Sequence, residues 1–355
     1  MNNFYYEYDP QAQEIQRDRN LKAKKQRRLF SRVFLALFIY SLVSQIFATG
    51  VYIVAPRVLT EAQYQAFIGS AIWEVVVSSV AQYVIALPIM LLTLIGTPKA
   101  QPKAKSKLTF SEFVFLFCIG ELLMLVGNYI GTMINDIFAS YTGSVPENNI
   151  ATIITEIPMW LICLVVVVIA PIVEEFIFRK IMIDRLSIYG EGVAIFFSAV
   201  AFGLIHGNLY QFFYATFLGA LLGFVYVKTR NMWYTVLMHM IVNFFGSVVA
   251  IPVEKAMNEF YELLNVAELG QSFDVIALFV SGVILFTYIS VQYGMVAGGA
   301  LAGIDYLKKK KFKVSPDKEI YLPNKEIVKR GIVNVGTMSF LTISAIFMLL
   351  SLIFS

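Results

Sequence analysis

The stretch "IPMWLICLVVVVIAPIVEEFIFRK", residues 157–180, holds two readings at once. Its first fourteen residues, "IPMWLICLVVVVIA", are those of a membrane span. The ten that follow, "PIVEEFIFRK", keep the apolar pattern but add Glu174, Glu175, Arg179 and Lys180. Charge is expensive at membrane depth, so ionisable groups placed there are candidates for function.

The rest of the chain supports the membrane reading. Of 355 residues, 58% are hydrophobic and 15% charged, against about 45–50% apolar and about 25% charged in soluble domains. Nine spans are expected, near residues 33–55, 70–97, 110–135, 155–186, 191–207, 209–228, 231–252, 274–304 and 331–354. The fold class is therefore an all-α polytopic membrane helix bundle of about nine transmembrane helices, or eight. Residues 192–227 carry no formal charge with His206 neutral and are too long for one crossing, so Gly207-Asn208 is read as the turn of a tight helical hairpin. Four regions follow: a basic tail at 1–32, membrane helices at 33–150, a core at 151–252, and C-terminal helices at 253–355 with a lysine-rich loop at 305–330.

Lysines and arginines set the orientation. "RDRNLKAKKQRR" at 17–28, Lys99 to Lys107, Lys228 with Arg230, and "KKKKFK" at 308–313 fall on one side. Asp136, Glu147 and Glu156, and the later group Glu254, Glu259, Glu262 and Glu268, fall on the other. The N-terminus is expected to be cytoplasmic and the C-terminus outside, in a bacterial plasma membrane. The N-terminus does not read as a cleavable signal peptide, because about thirty polar residues precede the first apolar run. The basic stretches suit topology, and secondarily anionic headgroups; nucleic acid is not an expected partner. Cys118 and Cys163 sit in apolar runs and read as buried free thiols. The Gly219/Gly223 spacing and "GMVAGGALAG" at 294–303 read as close helix packing.

Both histidines of the chain, His206 and His239, fall in apolar segments. Three pairs have i,i+4 spacing: Glu175 with Arg179, Phe202 with His206, and His239 with Asn243. Arg179 can hold Glu175 ionised, while Glu174, rotated by about 100°, points elsewhere. A carboxylate beside histidine can deprotonate water, and imidazole and amide hydrogens can stabilise an oxyanion. Two histidines and a carboxylate are also a zinc-ligand set. The lack of HExxH and the nearby Arg179 weigh against a dication, so no cofactor is expected, with zinc left open. Ser198 and Cys163 lack the partners of a nucleophile. Glu74 and Glu121 are further carboxylates within or beside spans, and Glu121 lies deep enough to need a partner.

"EEFIFR", "FGLIH" and "HMIVN", in that order, resemble the CPBP family (CAAX proteases and bacteriocin-processing enzymes, also called Abi). The resemblance covers roughly residues 155–250. It implies a metal-independent intramembrane glutamic-type peptidase, similar to CAAX prenyl protease 2. In it Glu174 and His206 activate water, His239 and Asn243 form the oxyanion hole, and Glu175, Arg179 and Phe202 support the site. The implied substrate is a membrane-associated peptide or protein: CAAX-type, bacteriocin, leader or signalling. Lys180 stands where many relatives have glycine, a change expected to loosen packing there. Two further readings are a membrane scaffold acting on a partner such as a sensor kinase, and a proton-coupled transporter using Glu174, Glu175 and His206 as a relay. For Glu174 and His206 to reach one depth, the fourth helix must run on through "KIMIDRL" and turn at "SIYGEG".

Overall fold

A computed structural model describes residues 10–101, 103–142, 156–315 and 322–353. Every regular element among them is helical. In chain order these are α1 (Pro10–Val58), α2 (Glu61–Ile68), α3 (Ala71–Thr93), α4 (Phe110–Thr142), α5 (Met159–Tyr189) and α6 (Glu191–Leu204). They continue as α7 (Leu209–Thr229), α8 (Met232–Glu268), α9 (Val275–Lys308), α10 (Asn324–Ile332) and α11 (Val335–Ile353).

Eight of these helices are long and apolar enough to span a membrane. The ninth expected span, α6, has 14 residues, about 21 Å at 1.5 Å per residue, against a hydrocarbon core of about 30 Å. It is a buried core helix, with Phe197, Ser198, Ala201 and Phe202 almost fully enclosed.

Several boundaries differ from those read in the sequence. The segment read as a tail before residue 33 is helical from Pro10 onward, because nothing between there and Arg32 breaks a helix. Its Leu29 and Phe30 are buried, Gln26 donates to the Ile327 carbonyl at 2.8 Å, and Arg19 pairs with Glu326. The short α10 thus occupies part of the lysine-rich 305–330 stretch. The acidic segment after residue 252 continues α8 to Glu268 and is not a loop. Glu147, on which part of the orientation argument rests, lies outside the described residues.

Three tight turns bring α5, α6, α7 and α8 together. Gly190, at φ 114°, reverses the chain between α5 and α6, as the "SIYGEG" reading requires. Gly207, at φ 68°, does so between α6 and α7, and the Asn208 side chain caps α7 by accepting from the Gln211 N–H at 2.8 Å. Arg230, at φ 52°, ends α7, and Asn231 caps α8. Glu174 lies 15 residues before Tyr189 and His206 lies 15 residues after Glu191, so both reach similar depth.

Close backbone approach holds the bundle. A Cβ on Gly219 of α7 would lie 3.2 Å from the Ala199 Cα of α6, which is the packing its spacing suggested. Within 294–303 the effect is local: Gly299 sits on the Cys118 backbone of α4, while Gly294 and Gly303 face open space. Cys118 and Cys163 are unpaired and half-buried, less enclosed than the sequence suggested. A cluster of Phe30, Phe34, Phe197 and Phe340 ties α1, α6 and α11 into one core, with Phe30 and Phe197 edge-to-face at 4.9 Å.

Four stretches are wound as wider π-turns: Val80–Ala86, Ile162–Ile169, Phe176–Ile183 and Phe244–Val249. Three of them end two or three residues before a proline, namely Pro88, Pro171 and Pro252. Proline has no N–H to give and its ring clashes with the carbonyl four residues back, so the preceding turn opens.

Candidate active site

Glu174 and Glu175 end a six-residue α-helical segment, Ala170–Glu175, set between two of the wide turns of α5. The two carboxylates face different surroundings. Glu175 is wholly buried, and so is Arg179 one turn on. Arg179 forks onto it, with Nε 2.8 Å from Oε2 and Nη2 3.3 Å from Oε1. The remaining guanidinium nitrogen, Nη1, donates to the Ser198 hydroxyl of α6 at 3.0 Å, and Ser198 donates to the Phe178 carbonyl at 2.9 Å. The buried charges are thus paired and hydrogen-bonded, as low-dielectric surroundings demand.

His239 of α8 meets the same carboxylate, its Nδ1 3.1 Å from Glu175 Oε1. An ionised Glu175 can only accept, so Nδ1 carries the hydrogen. His239 Nε2 then lies 3.8 Å from Glu174 Oε2, beyond hydrogen-bond range. His206 follows the same logic. Its Nδ1 is 2.7 Å from the Phe202 carbonyl, again an acceptor only, which leaves Nε2 as the lone-pair nitrogen of the neutral ring. His206 lies just beyond the end of α6, in the turn before α7. Asn243 donates through Nδ2 to the Val166 carbonyl in the wide turn of α5, at 2.9 Å. One of its two amide hydrogens is therefore committed to the fold.

Phe202 packs among these groups. The Arg179 guanidinium lies 5.1 Å from its ring centroid, and both imidazoles stand edge-on to it, His206 at 5.1 Å and His239 at 5.6 Å. Lys180 points out of the bundle. Its side chain is more than half exposed and pairs with Asp184 at 2.8 Å, while Ile177, Phe178 and Ile181 face the core.

Glu174, His206, His239 and Asn243 line one cavity of about 980 Å³, at the upper end of the range for ligand sites. Further walls come from α3, α4, α7 and α9, including Gln82, Tyr83, Glu121, Tyr214 and Gln292. Glu175 and Arg179 sit behind the wall.

Residues 156–245 match the family model described as Type II CAAX prenyl endopeptidase Rce1-like. The match agrees with the CPBP resemblance of the three motifs. All seven candidate residues lie within the matched Rce1-like segment. The chain is also 28% identical, over 186 residues, to "Putative membrane peptidase YdiL" of Bacillus subtilis (strain 168), an alignment spanning 51% of this chain and 73% of that protein. No solved structure matches it. At family level the Rce1-like core is that of a membrane protease.

Among the described residues, no group of three or more His, Cys, Asp and Glu side chains is placed to hold a metal. Two parts of the site were not read from the sequence. Ser198, which lacks the partners of a nucleophile, is the second partner of Arg179. The Val166 carbonyl becomes available to Asn243 within the wide turn before Pro171. Serine in an apolar helix and proline inside a span were the available signals.

Proposed function

We propose that this chain is an intramembrane endopeptidase in which Glu174 activates water. The observation that carries the reading is the contrast between neighbouring carboxylates, one lining the cavity and the other buried behind its wall. Glu175 is immobilised by Arg179 and His239, whereas Glu174 faces the cavity with no hydrogen bond to the described residues, 3.8 Å from an imidazole nitrogen.

A water held by Glu174 and His206 Nε2 gives one proton to Glu174 as its oxygen attacks the peptide carbonyl carbon. Neutral His239 has only a lone pair at Nε2, so it cannot donate to the oxyanion. Passing the water's proton from Glu174 to His239 Nε2 makes the ring a donor as negative charge develops on the carbonyl oxygen. The second amide hydrogen of Asn243 is the other donor. Return of the proton to the amide nitrogen breaks the C–N bond and releases an amine and a carboxylic acid. The acid's remaining proton then passes to the amine, leaving a carboxylate and an ammonium group. Glu175 stays ionised throughout, because Arg179 neutralises it.

The substrate is a membrane-associated peptide or protein (CAAX-type, bacteriocin, leader or signalling), held as an extended or locally unwound segment, since a helical backbone is already hydrogen-bonded. The basic segments favour a cytoplasmic N-terminus in a plasma membrane. The α6–α7 pair returns to one side, where Arg230 meets Glu191, so with the seven other long helices as crossings this orientation has the C-terminus outside.

The test compares wild type with Glu174→Gln in cells at matched expression, profiling membrane and secreted peptides by mass spectrometry. A precursor that accumulates only in the variant is the expected result. Identical profiles, with deletion of the whole protein still altering the cell, sink the peptidase reading and leave a scaffold acting on a membrane partner.

A further inference from the structure

Two carboxyl groups in the cavity wall are unused by the chemistry above: Glu74, which is exposed, and Glu121. Glu121 of α4 lines the same cavity as Glu174. It is only partly buried, and it has no hydrogen bond or ion pair to the described residues. Other enclosed carboxylates here are satisfied: Glu175 by Arg179 and His239, and Glu191 by Lys103 at 2.8 Å, the Ser315 N–H at 2.8 Å and Arg230. A carboxyl group at membrane depth without a partner is unfavourable unless it faces water or a ligand.

Helix geometry says where that ligand lies. Gly299 of α9 packs on the backbone of Cys118 of α4, and the two helices run antiparallel. Counting away from that contact sets Glu121 level with Val296, Leu125 with Gln292, and Asn128 with Ile289. All six line the cavity. The α4–α9 wall is therefore a continuous strip carrying one acid and two amides in an apolar surface, and Glu121 sits one turn from the closest approach of the helices.

The charge of the lining is one-sided. Among the described residues it includes Glu74, Glu121 and Glu174 but no lysine or arginine. The nearest arginine behind it, Arg179, is fully buried and bonded to Glu175. Apolar walls focus such a field and favour a cation in the cavity.

We propose that Glu121 is a specificity residue that binds a cationic group of the substrate, a lysine or arginine side chain within its membrane-embedded segment. An otherwise apolar peptide carrying one such residue pairs it with Glu121 while its backbone lies at Glu174. This rests on the reading of the cavity as a peptide site.

The test measures binding separately from cleavage. Glu174→Gln protein in lipid nanodiscs is mixed with three fluorescent apolar peptides, identical except for a central lysine, norleucine or glutamate, with empty nanodiscs as the control for lipid partition. The lysine peptide is expected to bind about tenfold tighter than the norleucine peptide, roughly one partly buried charge pair. Adding Glu121→Gln should shrink that advantage to within about twofold, and adding Glu121→Lys should make the glutamate peptide the preferred one. No lysine preference, no measurable binding of the lysine peptide, or a preference that persists with Glu121→Gln overturns the proposal. Cleavage is then assayed with Glu174 restored. If the lysine preference depends on Glu121 but none of the peptides is cut, the binding site stands and the peptidase reading falls.

Discussion

His239 gives its Nδ1 hydrogen to Glu175 across 3.1 Å, and that bond decides what its other nitrogen can do. With Nδ1 engaged, Nε2 is the atom left near Glu174, at 3.8 Å. His239→Asn retains an amide N–H where Nδ1 stood but removes Nε2. It should stay folded, with thermal unfolding close to wild type, and lose turnover by about 10²–10³, the cost of deleting one oxyanion donor. Turnover within tenfold of wild type would show that Nε2 takes no part in the reaction.

The Glu175–Arg179 pair is fully buried on both sides. Removing one member strands the other charge, so Arg179→Ala should destabilise the protein by about 3–5 kcal/mol. Glu175→Gln with Arg179→Leu removes both charges and should recover much of that loss in thermal unfolding. Recovered folding without recovered turnover would separate the role of the pair in stability from its role in positioning His239. A double variant no more stable than Arg179→Ala would mean that the single variant acts through lost packing.

Ser198 both accepts from Arg179 and donates to the Phe178 carbonyl. Ser198→Ala leaves one buried guanidinium N–H without its acceptor, which costs about 1–3 kcal/mol. Turnover should fall less than in His239→Asn, because Glu175 still holds Arg179 through two nitrogens. If Ser198→Ala abolishes cleavage while the protein remains folded, the hydroxyl has a chemical role that the structure does not give it.

The i,i+4 pairs were legible because side chains on one helix face meet whatever the rest of the fold does. Helix boundaries were less so. Nothing in the local pattern stops α1 before Pro10, but the contacts that hold this extension against α10, some 300 residues away in sequence, are not contained in that pattern. The bond between His239 and Glu175 joins helices whose relative rotation depends on the turns at Gly190, Gly207 and Arg230. The sequence showed that Glu175 had a partner in Arg179. It did not show that His239 would choose Glu175 over Glu174.

Pro171 shows why that rotation matters. It stands two residues after the wide turn Ile162–Ile169 and three before Glu174. The wide turn accommodates one residue more than regular α winding would. Pro171→Ala restores an N–H and removes the ring clash, so the turn can close into α geometry. Every residue on one side of it is then shifted by one position relative to the other, about 100° around the axis. Either Glu174 leaves the cavity or the Val166 carbonyl leaves Asn243, and catalytic groups displaced by even about 1 Å can cost about 10² in rate. Stability should move the other way, by up to about 3 kcal/mol, since proline is the poorest residue inside a helix. The expected variant is thus at least as heat-stable as wild type and at least about 10²-fold slower, a combination that simple unfolding cannot produce. Wild-type turnover with raised stability would show that the wide turn is a packing feature without influence on the site. A variant both slow and unstable would mean that the turn is held open by its neighbours and that Pro171 only fits it.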